Sequence, residues 1–122
     1  MQADGRAIAL VDDDSAVRDS MRFLLEIEGY DILDFPSAAE FLDECALDRI
    51  RGLILDHHMP LMTGLELAAH LRKQGNAIPI LLITGSPSPA IVARAAELGI
   101  DKVLEKPPSE TDLLQFVANL PA

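Results

Sequence analysis

The sequence predicts an α/β domain in which five parallel strands form a sheet with helices on both faces. Three observations lead to this fold class. Short apolar runs alternate five times with segments whose apolar residues recur at helical spacing. The strongest runs are continuously apolar, which is typical of strands buried on both faces of a parallel sheet. The length of 122 residues, 49% of them hydrophobic, suits one domain with its own core, so we expect a single domain over residues 1–122.

The strands are predicted from runs of apolar or mixed residues bounded by turn signals. In chain order they cover residues 8–11, 31–35, 52–55, 79–83 and 102–105. The first, third and fourth runs are the most apolar, so we expect them in the centre of the sheet. The second and fifth are mixed and suit its edges. Right-handed crossovers then give the strand order 2-1-3-4-5, the flavodoxin-like (βα)5 three-layer sandwich.

The helices are predicted from inward-facing apolar stripes and from start and stop signals. The first helix ends at Gly29. The second and third begin at Ser37 and Thr63, each followed three positions later by Glu in capping-box spacing. The fourth begins in the Ser-Pro-Ser-Pro segment at residues 86–89, where proline is tolerated because first-turn N–H groups lack helical partners. The fifth begins at Ser109.

Polar side chains stand at the carboxyl ends of four predicted strands. Asp12 and Asp13 follow the first strand, Asp56 the third, Thr84 the fourth and Lys106 the fifth. In open α/β sheets the ligand site lies outside the carboxyl ends of the strands, where the winding direction reverses. The five residues therefore predict one polar pocket at that edge.

The composition of this pocket predicts a divalent cation and a phosphoryl group. Three carboxylates repel one another unless a cation joins them. Oxygen ligands suit Mg²⁺, with Mn²⁺ as a substitute, and the main-chain carbonyl of His58 is a further candidate ligand. Asp56 can then act as a nucleophile towards phosphorus and form an acyl phosphate. Lys106 supplies a positive charge and Thr84 a hydroxyl donor for the phosphoryl oxygens.

Each of these residues alone has a simpler interpretation. Asp12, Asp13 and Asp14 together could form only a helix N-terminus, where acids interact favourably with the dipole. This interpretation suits Asp14 and explains Asp12 and Asp13 less well, because they lie so close to the strand. Asp56 alone is a loop acid, Thr84 a turn residue and Lys106 a solvated charge. The functional interpretation depends on their arrival at the same edge of the sheet.

The motifs resemble the receiver domain of two-component response regulators. The resemblance runs from Ile8 to about Leu120. It rests on Val11-Asp12-Asp13, on Asp56-x-x-Met59-Pro60-x-Met62-x-Gly64, on Thr84-Gly85 and on Lys106-Pro107. Each motif alone is weak, and their combination is specific.

The resemblance implies a phosphoacceptor signalling domain of a two-component system. Asp56 would accept a phosphoryl group from a sensor histidine kinase or a histidine phosphotransfer protein in a Mg²⁺-dependent reaction. Asp12 and Asp13 would bind the metal together with Asp56. Thr84 and Lys106 would engage the phosphoryl group and couple it to a conformational change at an output face. Such a domain is not an enzyme beyond catalysing its own phosphorylation and slow dephosphorylation.

Other positions refine or depart from the family pattern. The resemblance implies a cis peptide bond before Pro107. Val103 stands where the family usually has the Tyr or Phe that turns inward as the Thr moves, so we expect a smaller structural response to phosphorylation. His57 and His58 are interpreted as exposed loop histidines. The alternatives are an effect of His58 on the lifetime of the acyl phosphate and adventitious binding of Zn²⁺ or Ni²⁺ by the pair.

Composition and resemblance also set expectations about partners and location. A net charge of -10 without a basic cluster argues against direct binding of nucleic acid. No apolar run approaches the roughly 18–20 residues of a membrane span, and the single Cys45 agrees with a reducing compartment, so we expect a cytoplasmic protein. The motifs look most like receivers of helix-turn-helix transcription regulators. A C-terminal DNA-binding output domain outside this chain and homodimerisation are compatible with that.

Three other functions remain open on the sequence alone. A degenerate receiver that docks a partner without phosphorylation is favoured by Val103 and opposed by the complete set of site residues. An aspartyl-phosphate phosphatase of the haloacid-dehalogenase type needs a second Asp two residues after its nucleophile, where this chain has His58. A flavodoxin needs a Ser/Thr/Gly-rich phosphate loop after the first strand, where this chain has three acids.

Overall fold

The computed structural model of the protein describes residues 6–121, which form five strands that alternate with five α-helices. The strands are β1 (Ala7–Val11), β2 (Ile32–Phe35), β3 (Ile50–Asp56), β4 (Ile80–Thr84) and β5 (Lys102–Glu105). The helices are α1 (Ser15–Ile27), α2 (Ala38–Glu44), α3 (Gly64–Lys73), α4 (Pro89–Glu97) and α5 (Glu110–Ala118). Of the domain expected over residues 1–122, positions 1–5 and 122 lie outside the described residues. No helix within residues 6–121 has the length and apolar character needed to cross a membrane.

The sheet has the predicted order β2-β1-β3-β4-β5, and every neighbouring pair is parallel. The central strands β1, β3 and β4 are almost wholly buried, whereas β5 at one edge is exposed or half-buried along its length. This pattern follows from sequence, because only continuously apolar strands tolerate helices on both faces. The predicted flavodoxin-like fold class is therefore confirmed.

The core consists of two apolar clusters, one on each face of the sheet. Successive side chains of a strand point to opposite faces. In β3, Leu53 and Leu55 accordingly pack under α2, α3 and α4, while Ile54 packs under α1 and α5. Each such fully buried side chain contributes roughly 1.5–3 kcal/mol relative to an exposed one. The two clusters hold the strands between them and fix the edge at which the polar side chains emerge.

Side-chain caps define where the helices begin. The N-cap residues Asp14, Ser37, Thr63, Ser88 and Ser109 each accept a hydrogen bond from a main-chain N–H of the first turn. At Thr63 both halves of the predicted capping box form, with donor–acceptor distances of 3.2 and 2.8 Å. Within residues 6–121 this reciprocal arrangement occurs only in α3. In α2 the Ser37 side chain accepts a hydrogen bond from the Glu40 N–H, but the Glu40 side chain accepts none from the Ser37 N–H. The start of α3, which follows the Asp56 loop, is thus firmly fixed.

Candidate functional site

The carboxyl edge of the sheet brings the five predicted site residues together. Asp12 and Asp13 follow β1, Asp56 and Thr84 are the last residues of β3 and β4, and Lys106 follows β5. Asp12, Asp56 and Thr84 are buried, whereas Asp13 is exposed and Lys106 is half-buried. The sheet order places the strands of Asp12 and Asp56 side by side in the centre. The result is a polar pocket with a buried floor and an open rim.

Three carboxylates meet in this pocket. One carboxylate oxygen from each of Asp12, Asp13 and Asp56 lies within 4.8 Å of the others. Within the described part of the chain, no other group of three or more acids, histidines or cysteines is arranged in this way. The buried Oδ2 atoms of Asp12 and Asp56 accept no hydrogen bond from residues 6–121. Because buried carboxylate oxygens normally have partners, this donor set fits a hard divalent cation such as Mg²⁺.

Lys106 is the only side-chain cation that the structure records in contact with these carboxylates among residues 6–121. Its Nζ lies 2.9 Å from Asp56 Oδ1 and 3.5 Å from Asp12 Oδ2. Its main-chain N–H donates to the carbonyl of Thr84 at 2.9 Å, which holds the chain at the end of β5. The peptide bond between Lys106 and Pro107 is cis, as predicted. The ammonium group balances only part of the negative charge in the pocket.

Burial and charge shift the pKa values of the site in opposing ways. Burial raises the pKa of Asp56 above its ordinary value, and Lys106 acts in the opposite direction. Burial likewise raises the pKa of Asp12, while the hydrogen bond from the Asp14 amide acts to lower it. Burial acts to lower the pKa of Lys106, but its interactions with Asp56 and Asp12 outweigh that and raise it. The Lys106 ammonium is therefore charged at neutral pH, whereas burial disfavours the charged forms of Asp12 and Asp56.

The turn after β1 is held by contacts within and around it. The Asp14 N–H donates to Asp12 Oδ1 at 2.9 Å, and Arg18 Nη1 donates to the Asp12 carbonyl at 2.7 Å. Asp14 itself caps α1, which confirms its simpler interpretation as a helix N-terminal acid. Arg18 was not among the predicted site residues, although its position four residues after the cap places it one helical turn from the site. These bonds hold Asp12 with its second oxygen towards Lys106.

The turn after β3 requires a glycine at position 64. A Cβ atom there would lie 2.6 Å from the carbonyl oxygen of Asp56 and 2.9 Å from Cα of His57. The Gly64 N–H donates to the carbonyl of His57 at 3.0 Å, and the His57 N–H donates to that of Ile83 at 2.9 Å. The glycine of the motif therefore lets α3 start directly against the strand that carries Asp56.

The two histidines differ from their predicted surface role. The ring of His57 is half-buried, and its Nδ1 accepts a hydrogen bond from the Leu65 N–H at 3.4 Å. Burial lowers the pKa of His57. His58 is exposed, but its Nε2 lies 2.9 Å from the hydroxyl oxygen of Thr84. The interpretation as exposed loop histidines was thus wrong for His57 and incomplete for His58, whose only sequence signal was its closeness to Asp56.

Val103 lies on the face of the sheet covered by α4. It is half-buried and packs against the apolar cluster under α2, α3 and α4. It also lines an open groove of about 520 Å³ between α4 and β5, together with Val92 and Ala96. The expectation that Val103 reduces the structural response to phosphorylation stays a prediction.

Comparisons with known proteins agree with this geometry. The family model of the response regulator receiver domain matches residues 8–118. The response regulator MprA of Mycobacterium avium (strain 104) is 39% identical over 107 residues, which are 88% of this chain and 47% of that protein. The crystal structure of FixJ-N, 31% identical, superposes with a TM-score of 0.83 over 100% of this chain and 99% of that one. The chemotaxis protein CheY4 of Vibrio cholerae, 27% identical, gives a TM-score of 0.85 over 95% and 98% of the two chains.

The curated relatives are longer than this chain. The chain spans about half the length of the curated relatives it matches. The similarity therefore concerns the domain described above and leaves the remainder of those proteins outside the comparison.

Proposed function

Because the chain belongs to the family of response regulator receiver domains, we propose that it accepts a phosphoryl group on Asp56 from a phosphohistidine. The observation that carries this proposal is the environment of Asp56. This buried carboxylate has Lys106 at 2.9 Å from one oxygen, no hydrogen bond to the other from residues 6–121, and two further carboxylates within 4.8 Å. Such a group is short of positive charge, which a divalent cation bound beside it would supply, and it leaves a carboxylate oxygen available as a nucleophile.

The transfer itself needs one nucleophile and an environment that neutralises charge. An oxygen of Asp56 forms a bond to phosphorus as the phosphorus–nitrogen bond of the phosphohistidine breaks, and the imidazole nitrogen keeps the electron pair. Lys106 balances charge on the phosphoryl oxygens, and the Thr84 hydroxyl donates to one of them. Asp12, Asp13 and Asp56, with the main-chain carbonyl of His58, are the residues that would hold Mg²⁺, or Mn²⁺ as a substitute. When bound, the metal supplies positive charge to the phosphoryl oxygens.

The product is a signalling state, and no other substrate is turned over. Slow hydrolysis of the acyl phosphate returns Asp56 to its resting form. In this respect the domain catalyses only its own phosphorylation and dephosphorylation. The output surface is the face formed by α4, β5 and α5, where Val103 replaces the usual aromatic residue and reduces the structural change.

The proposed partners follow from the phosphoryl donor and from the relatives. A sensor histidine kinase or a histidine phosphotransfer protein supplies the phosphoryl group. The similarity to a response regulator such as MprA supports a regulatory output through a DNA-binding domain beyond this chain, with homodimerisation as one way to transmit the signal. The acidic surface, with a net charge of -10, makes direct contact of this domain with nucleic acid unfavourable. We place the reaction in the cytoplasm, in keeping with the single Cys45.

Intact-mass measurement after incubation with acetyl phosphate tests the proposal. We expect the wild type to gain the mass of one phosphoryl group in the presence of Mg²⁺ and none in EDTA. Asp56→Asn should gain none in either condition. Asp14→Asn is the matched control, because Asp14 caps α1 and Asn caps equally well; it should react like the wild type.

A different result would overturn the proposal. An adduct that persists in Asp56→Asn would place the acceptor elsewhere. No adduct in any condition, together with no Mg²⁺ binding, would instead support a domain that docks its partner independently of phosphorylation.

A further inference from the structure

The Thr84 hydroxyl is already occupied in the resting structure. Its oxygen accepts a hydrogen bond from the Ser86 N–H at 3.2 Å and lies 2.9 Å from Nε2 of His58. Thr84 is fully buried, whereas His58 is exposed at the mouth of the pocket. The exposed His58 imidazole thus contacts the buried Thr84 hydroxyl, which the proposed function needs as a donor to a phosphoryl oxygen.

The hydrogen-bonding capacity of a hydroxyl is limited. It has one hydrogen to donate and two lone pairs to accept with. The Ser86 N–H uses one lone pair. If Nε2 of His58 accepts, it takes the only hydrogen; if Nε2–H donates, it takes the second lone pair. The two contacts hold the hydroxyl in place, and when Nε2 accepts, the hydroxyl has no hydrogen left for a phosphoryl oxygen until it releases His58.

The position of the His58 ring is set by the turn after β3. The main-chain N–H of His57 is tied to Ile83 of β4, and the Met59 N–H donates to the His57 carbonyl at 3.1 Å. The His57 ring contacts that of His58 edge-on, with 5.1 Å between centroids. The backbone of His58 is therefore fixed, and because the side chain is exposed, the ring can leave Thr84 for water without disturbing the core.

We infer that His58 is a positioning residue which retains the Thr84 hydroxyl in its resting orientation, and that phosphorylation of Asp56 exchanges the His58–Thr84 hydrogen bond for one to the phosphoryl group. This inference rests on the proposed function. The bond stabilises only the unphosphorylated state, so it opposes the active state by the free energy of one hydrogen bond. Its removal shifts the equilibrium towards the active arrangement.

The affinity for beryllofluoride, a tetrahedral mimic of the acyl phosphate, measures this equilibrium directly. Titration of the whole chain with beryllofluoride and Mg²⁺, followed by the Ser86 amide resonance, gives the apparent Kd. Since one hydrogen bond is worth about 0.5–1.5 kcal/mol, we expect His58→Ala to bind about 2- to 13-fold more tightly than the wild type. His70→Ala, at an exposed position on α3, is the control and should leave the Kd unchanged.

A double-mutant cycle separates this role from a general structural one. In a Thr84→Val background, which removes the hydroxyl and nearly keeps the shape, His58→Ala should no longer alter the Kd. An equal effect of His58→Ala in both backgrounds would overturn the inference, because the effect would not pass through the Thr84 hydroxyl.

The remaining outcomes distinguish this inference from the proposed function. If the wild type binds beryllofluoride and His58→Ala binds with the same or lower affinity, the inference fails alone. If the wild type binds none, the proposed function fails and the inference with it.

Discussion

At the residue scale, the burial of Asp12 is the clearest source of strain in the site. Its Oδ1 accepts a hydrogen bond from the Asp14 amide, whereas Oδ2 is buried without one among residues 6–121. Lys106 lies closer to Asp56 than to Asp12. The charge of Asp12 is therefore incompletely compensated in the metal-free protein.

This imbalance predicts that Asp12→Asn stabilises the protein in EDTA at neutral pH. An Asn keeps the acceptor for the Asp14 amide and removes the buried charge, so we expect a gain of about 1–3 kcal/mol in the free energy of unfolding. The pKa of Asp12 is raised in the folded state. Between its ordinary and its raised value the folded state binds more protons than the unfolded state, so this group's contribution to stability falls as pH rises.

Urea unfolding at a series of pH values compares Asp12→Asn with the wild type. The advantage of the variant should be full above the raised pKa and should shrink as pH falls towards the ordinary value of 3.8. Asp14→Asn, which removes an exposed acid from the same turn and keeps the cap of α1, is the control. An advantage that grows with acidity would contradict the assignment of the strain to Asp12.

At the element scale, the join between β3 and α3 depends on the absence of a side chain at Gly64. We expect Gly64→Ala to cost more than about 2 kcal/mol, because two of the three nearest atoms are backbone atoms of Asp56 and His57, which cannot yield easily. Its rate of phosphorylation should also fall as Asp56 is displaced. Gly85→Ala is a matched control for stability, since a Cβ there meets no atom within 4 Å. Equal stability of the two variants by urea unfolding would refute this explanation.

A single arginine ties α3 to the end of α4. Arg72 donates to the carbonyl of Leu98 at 2.6 Å and to that of Gly99 at 3.2 Å. It also donates to the carbonyls of Asn76 and Ile78 at 3.1 and 2.9 Å. The planar guanidinium thus donates to four carbonyl oxygens, which the compact ammonium of a lysine could not reach at the same time.

We therefore expect Arg72→Lys to lower the free energy of unfolding by about 2–3 kcal/mol. Arg94→Lys is the comparison, because Arg94 is exposed and makes an ion pair with Glu97 at 3.1 Å. An exposed pair of this kind contributes about 0.2–1 kcal/mol, and a lysine retains part of it. A similar effect of both changes in thermal or urea unfolding would show that the four carbonyl contacts contribute little.

At the scale of the whole molecule, the proposed binding of Mg²⁺ would be coupled to folding. The three carboxylates lie at the carboxyl ends of two separate strands and converge only in the folded chain. A ligand that binds only the folded state stabilises it by about 2.7 kcal/mol when its free concentration is about 100 times Kd. We expect Mg²⁺ to raise the midpoint of thermal unfolding accordingly, and Asp56→Asn to lose most of this increase. NaCl at equal ionic strength is the control, and an equal rise with NaCl would reveal simple charge screening.

The sequence was sufficient for the architecture because the relevant signals are local. Continuously apolar runs separate central strands from edge strands, and polar residues at their ends identify the functional edge. The start of β3 at Ile50 was not predicted, because the half-buried Arg51 interrupts the apolar pattern of the strand. The contacts of His58 with Thr84 and of Arg72 with Leu98 could not be predicted, since each joins residues 26 positions apart through side-chain directions that loops determine.

The order in which the strands enter the sheet has a consequence for synthesis. Within this domain Asp12 is synthesised early, directly after β1, whereas Lys106 follows the final strand β5. An incomplete nascent chain thus carries the nucleophile without the cation that balances it, and β4 would still present an open edge to the solvent. The complete site for phosphorylation of Asp56 therefore forms only when translation of the domain is nearly finished. We expect incomplete chains not to be phosphorylated.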